Sequence, residues 1–237
     1  VLPTWHWLQL LWANLLGLGP FLWRSLVGRN ILQVASRAGW AALRAGSLNP
    51  RTVGAKLGRK GSGCRIHSSA VVEACFIGDD VEIGAGAVVR GCVIADGAVV
   101  EDLALAEFSV LGPGARVQRQ AMVKFSLLGA NSAVGGLMQL GTLDRNAALK
   151  RTGVLMDMAL GQGVEVFAAG KRVAAPLGLA GVCVGEGSVV GAGVQVAPGR
   201  AIPADVKVVP GPHSTLTRIP DGATGVMMVR DGMLEPV

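Results

Sequence analysis

The 237 residues contain no Tyr and only 4% aromatic residues, which excludes a core built on large rings. Four Cys in a chain of this length do not form the paired framework of a small secreted domain. No Cys/His spacing fits a zinc site, so no metal is expected. Asp and Glu are missing altogether from residues 1–72, which carry nine Lys or Arg. The remainder is −3, so the net charge of +6 belongs wholly to the N-terminal segment. No apolar run reaches the ~20 clean residues of a membrane span. His6, Gln9 and Asn14 interrupt residues 5–23, and Gly19-Pro20 should break a helix there. The basic start and small-residue cleavage site of a signal peptide are lacking too. Histidine is absent between positions 68 and 212. The chain starts at Val1 rather than Met, as a fragment or a processed product does.

What is present is glycine, 35 residues of it, and a repeat. Residues 66–139 recur every 17 positions. Ile77-Gly78-Asp79-Asp80-Val81-Glu82 lies over Ile94-Ala95-Asp96-Gly97-Ala98-Val99, then over Leu111-Gly112-Pro113-Gly114-Ala115-Arg116 and Leu128-Gly129-Ala130-Asn131-Ser132-Ala133. The unit divides into pieces of six, six and five residues. Each six-residue piece opens on Ile, Leu or Val and usually has Ala, Val or Ser four places later. Both can face inward if the piece is one short strand and a turn. Three pieces then close a triangular coil, with Gly, Asp or Asn at the corners. Stacked coils, about 4.8 Å apart, bury a continuous core that no single coil can bury. Cys75, Cys92, Ser109 and Ser126 form one ladder of small core residues. The pattern returns as Val184, Val190, Val196, Ile202 and Val208.

These patterns predict an all-β solenoid with an N-terminal α-helical segment. The expected organisation is a basic, Trp-rich helical segment at 1–60, coils at 61–139, an excursion or distorted coils at 140–181, coils at 182–212 and a closing segment at 213–237. All five Trp lie in the first segment. A helix is expected from about Asn30 to Ala45, where Arg29, Arg37, Arg44 and Arg51 share a face. An apolar, Trp-bearing surface beside an Arg stripe suits the interface of an anionic membrane. Packing on a partner domain or on the end of the coil stack is the other reading. Nucleic acid is not expected as a partner, since the Trp and Leu are not interleaved for base stacking.

Ile77 to Ile94 resembles the hexapeptide-repeat left-handed β-helix of sugar-1-phosphate nucleotidyltransferases and bacterial acyltransferases. Residues 164–202 are similar to the C-terminal domain of archaeal-type bifunctional sugar-1-phosphate nucleotidyltransferase/acetyltransferases. The likeness rests on Val164 to Val173, Leu179 to Glu186 and Ala197 to Ile202. Trp7 to Leu16 looks like the helix that closes their nucleotidyltransferase domain. That domain itself is missing, with no Gly-rich loop for a nucleoside triphosphate, and the family's Thr-Gly-Arg-Arg-Lys stretch is replaced by Ala174-Ala175-Pro176-Leu177-Gly178. The resemblance implies a left-handed parallel β-helix, a homotrimer, and acyl transfer from acyl-CoA to a nucleotide sugar or phosphosugar. It also implies a cytoplasmic protein, peripheral at the inner face of the membrane if the basic segment meets lipid. The alternative is a non-catalytic trimeric scaffold that docks on a membrane or partner through its N-terminal segment.

Such acyltransferases use a His as general base to take a proton from the attacking acceptor. His67, beside the inward Ile66, and His213, in the closing segment, are the candidates, with Glu107 the one coil carboxylate proposed as a base. Lys171, Arg172, Arg200 and Lys207 are the cations expected for acyl-CoA phosphates. Lys150 and Arg151 are expected for an anionic substrate.

Overall fold

The computed structural model describes residues 6–27, 31–46, 49, 53, 56–159, 163–211, 227–230 and 233–236. Its body is a parallel β-solenoid with three faces. Face A holds eight strands, from Arg59–Lys60 to Ala201–Ile202. Face B holds eight, from Arg65–Ile66 to Lys207–Val208, and face C seven, from Val71–Glu73 to Gln195–Val196. The 17-residue period is the register itself: Phe76 pairs with Val93, Val93 with Val110, and Val110 with Leu127. The residues after them, Ile77, Ile94, Leu111 and Leu128, stack in the buried core. The strands of the three faces are only two or three residues long because each must end at a corner. At the corner after face A the backbone is left-handed at Asp80, Asn131 and Asn146, with φ of 55°, 56° and 58°. Short polar side chains tolerate that conformation better than branched ones.

The predicted excursion begins later than the loss of period suggests. Arg116 pairs with Ala133 at a spacing of 17, but Met122 pairs with Leu137 at 15. Two residues are lost at the corner between them, where Gly135-Gly136 replaces the four residues 118–121. A Cβ on Gly136 would collide with the Gly153 carbonyl oxygen, so only glycine makes this tight passage. The strands at 142–143, 148–149 and 154–155 then add a full further coil. The chain leaves the stack only after that. It forms an antiparallel hairpin, Glu165–Ala168 with Lys171–Ala174, and a single 3-10 turn at Pro176–Gly178. It rejoins at Cys183, which pairs with Thr142. The first coil also starts earlier than expected, with Arg59 paired to Phe76. Near the C-terminus Met227–Arg230 pairs antiparallel with Met233–Pro236.

Helix α1 (Trp7–Leu22) runs through Pro20 instead of breaking at it. Proline removes one intrahelical donor, and the helix widens just beyond it into a π-helical turn at Trp23–Val27. Helix α2 spans Ile31–Ala45. His6 caps α1, its Nδ1 accepting the Leu8 N–H at 3.2 Å. Its Nε2 donates to the Phe167 carbonyl at 3.3 Å, which ties α1 to the hairpin. Leu8 and Leu11 are buried with Leu140, Val164, Val166, Ala175 and Ala180. At the other end of α1, Phe21 meets Phe76 edge-on at 5.4 Å. The helix therefore lies along face A, across several coils, and not on the end of the stack. That explains why both residues of the face A strands at 76–77, 93–94, 110–111 and 127–128 are apolar: the first is covered by α1 and the second by the core.

Candidate functional site

Face C carries a ladder of alternating charge. Glu73, Arg90, Glu107 and Lys124 are successive register partners, so each meets the next coil's side chain. Arg90 bonds Glu73 at 2.9 Å and Glu107 at 3.2 Å, and Lys124 reaches Glu107 at 3.1 Å. Gln139 continues the column by donating to Asp157 at 2.9 Å. Burial alone would raise the Glu107 pKa, but hydrogen bonds from Lys124 and Arg90 outweigh it and hold the carboxyl below its ordinary range. A carboxylate held by two cations is a poor proton acceptor. The structure places Glu107, the candidate base, at the centre of an ion-pair ladder. Next to it, Phe108 and Phe125 stack at 5.2 Å and 8° on the corner between faces C and A. Gly91, one coil below, leaves room for that stack, since a Cβ there would meet the Phe108 ring at 2.8 Å.

His67 lines an open groove of about 500 Å³ on face B, with Glu82, Glu101, Arg65, Arg116 and Arg119. The charges of this groove are mutually satisfied. Arg65 pairs with Glu82, Arg116 with Glu101 at 2.9 Å, and Arg119 with Asp102 at 2.9 Å. Burial would raise the Glu101 pKa, but the Arg116 side chain and the Arg119 N–H together hold it below the ordinary value. His67 Nδ1 accepts the Ser69 N–H at 3.2 Å and lies 2.8 Å from Ser69 Oγ. Because Nδ1 accepts the Ser69 N–H, the Ser69 hydroxyl donates to the ring, while its oxygen accepts from Gly86 N at 3.0 Å. The network puts the neutral ring's proton on Nε2. In that tautomer Nε2 is a donor, which is the wrong form for a general base.

The other candidates do not converge. Lys207 pairs with Val189 on face B, whereas Arg200 immediately precedes the last face A strand and donates to the Pro198 carbonyl at 3.3 Å. Lys171 and Arg172 stand exposed on the hairpin, with Arg172 at 3.9 Å from Glu165. Lys150 and Arg151 are exposed at the corner after face B. His213 lies outside the described residues. Cys75, Cys92, Ser109 and Ser126 make the expected inner ladder. Ser109 Oγ accepts from Ser126 N at 3.1 Å while donating to the Glu107 carbonyl at 2.7 Å.

A different cluster gathers where α1, the π turn and α2 meet the first coil. Two adjoining depressions share Ser25, Arg37 and Arg59. The larger, about 710 Å³, is also lined by Phe21 and Arg24, and the other by Trp40, Arg44 and Lys56. Arg37 donates to the Ser25 and Leu26 carbonyls at 2.8 and 3.2 Å, which fastens α2 to the π turn. Arg59 lies 5.2 Å over the Phe76 ring. All the ion pairs among the described residues involve positions 65–186, and none involves these cations. Sequence reading saw the charge of this segment but not its convergence, because Lys56 and Arg59 reach the helices only through the fold.

No protein-family model matches the chain, and no curated protein does. Among solved structures it is similar to a Bacillus cereus protein provisionally described as an acetyltransferase. The two are 17% identical, over 63% of this chain and 76% of that one, with a TM-score of 0.29. The polySia-specific acetyltransferase NeuO is also 17% identical, over 63% and 80%, with a TM-score of 0.21. At these values the likeness adds nothing to the solenoid already described.

Proposed function

We propose that the chain is a docking platform, in which the coil stack and α1 fix the π turn and α2 so that the unpaired cations Arg24, Arg44 and Lys56 meet an anionic partner. The observation that carries this reading is the distribution of ion pairs. On faces B and C the charges at 65–124 pair across neighbouring coils, whereas the segment clamped along face A has cations and no acids. Binding to an immobilised polyanion tests it. The triple variant Arg24→Gln/Arg44→Gln/Lys56→Gln should elute at much lower salt than the parent. Lys150→Gln/Arg151→Gln, on the coils, should elute almost unchanged. Equal shifts for the two would overturn the reading.

A second reading, acyl transfer from acyl-CoA to a nucleotide sugar or phosphosugar by a homotrimer, is favoured by the open face B groove of about 500 Å³, and it requires a proton acceptor other than the Nε2–H of His67. Acetyl-CoA at millimolar concentration should then raise the melting temperature and release or take up heat in calorimetry. The platform reading expects neither.

A further inference from the structure

The helical segment bears large apolar side chains that stand exposed among the described residues. Trp23 is 65% exposed and Trp40 66%, and on α2 Leu32 is 80% and Leu43 77% exposed. Leu32 and Leu43 fall on one line of α2, with Trp40 between that line and the Arg37–Arg44 line. The opposite side of α2, at Val34, Ala38 and Ala41, is the one that packs inward. α2 therefore has two apolar sides, only one of which the fold uses. The outward one borders the unpaired cations Arg24, Arg44 and Lys56.

We propose that this surface docks on an anionic phospholipid membrane, with Trp23, Leu32, Trp40 and Leu43 entering the interface while Arg24, Arg44 and Lys56 meet lipid phosphates. The proposal rests on the docking-platform reading and names the partner. Charge complementarity selects an anionic occupant, because the described segment offers cations with no acid among them. The aliphatic residues then select lipid. Leu32 and Leu43 have no role in stacking on bases, and indoles beside guanidinium groups suit the headgroup region. The contact is peripheral, since no described helix is long and apolar enough to cross a membrane.

The test is flotation of the full chain with vesicles of phosphatidylcholine and phosphatidylglycerol, and with phosphatidylcholine alone. The chain should float with the first and not the second, and should be released by salt. Arg24→Gln/Arg44→Gln should weaken partitioning by about fivefold per charge. Trp40→Ala should weaken it about tenfold. Leu43→Gln gives a second apolar probe should Trp40→Ala lower the melting temperature. Equal partitioning of the Trp40 and Leu43 variants with the parent would overturn the proposal, because charge alone would then account for binding. Retention on duplex DNA without flotation would overturn it in favour of nucleic acid. Release by millimolar inorganic phosphate at constant ionic strength would overturn it in favour of a soluble phosphate ligand. Heat on adding acetyl-CoA would count against the platform reading itself, whatever the vesicles show.

Discussion

The coil stack and the helical segment handle charge in opposite ways. On face C, Glu73, Arg90, Glu107 and Lys124 alternate in sign because the register brings every seventeenth residue together. Each charge is compensated before any partner arrives. On the π turn, α2 and the start of the first coil, cations from positions 24 to 59 converge, and none of them is in an ion pair among the described residues. Charge in the stack holds coils together. Charge in the segment is left for something outside the chain. The same division applies to apolar groups: Leu111 is wholly buried, while Leu43 is 77% exposed.

The sharpest break of this comparison is a pair of truncations. Leu111→Ala should cost about 2–5 kcal/mol in denaturant unfolding, through lost burial and the cavity left behind. Leu43→Ala should stay within about 0.5 kcal/mol. Comparable losses would mean that α2's outer side is part of the core. Next in size, Leu11→Ala should loosen α1 from the hairpin by about 2–4 kcal/mol. With no Tyr and all five Trp within residues 1–40, tryptophan emission reports on the segment alone. It should shift to the red while the far-ultraviolet signal of the coils persists.

Glu107→Gln should cost about 1 kcal/mol, because it leaves Arg90 and Lys124 facing a neutral rung. The Glu107 side chain is 16% exposed, so salt should shrink this cost only in part. The pH profile should follow. Glu107 and Glu101 both have depressed folded values, so their contribution is complete above the unfolded Glu pKa of about 4.3. It is lost as pH falls through the folded values. The melting temperature should drop on that acid limb, and less steeply in Glu107→Gln. The smallest effect is expected at Arg44→Gln, within about 0.5 kcal/mol of the parent.

The stack was legible because its constraint is local and repeated. Phe76, Val93, Val110 and Leu127 fall in one column of the sequence and in one sheet of the fold. The coil at 142–155 was hidden by the loss of two residues at Gly135-Gly136, which shifts every later column. The ion-pair ladder was in the sequence as well, since Arg90 and Lys124 flank Glu107 at 17 residues on either side. Reading Glu107 as a single residue missed it. The place of α1 had a signal too: the face A strands at 76–77, 93–94, 110–111 and 127–128 are apolar at both positions, whereas the first residues of the face B strands at 65, 82 and 116 are charged. The tautomer of His67 could not be read, because it depends on where Ser69 and Gly86 place their hydrogen bonds. Nor could the meeting of Arg59 with α2, which needs the whole first coil in place.

The most direct test of the contrast is vesicle partitioning of two charge-matched variants of the full chain. Arg24→Gln/Arg44→Gln and Lys150→Gln/Arg151→Gln each remove two exposed cations, one pair from the helices and one from the coils. On vesicles containing phosphatidylglycerol, the first should lose about 25-fold in partitioning and the second less than about twofold. Equal losses would show that net charge alone, and not the segment held along face A, governs binding.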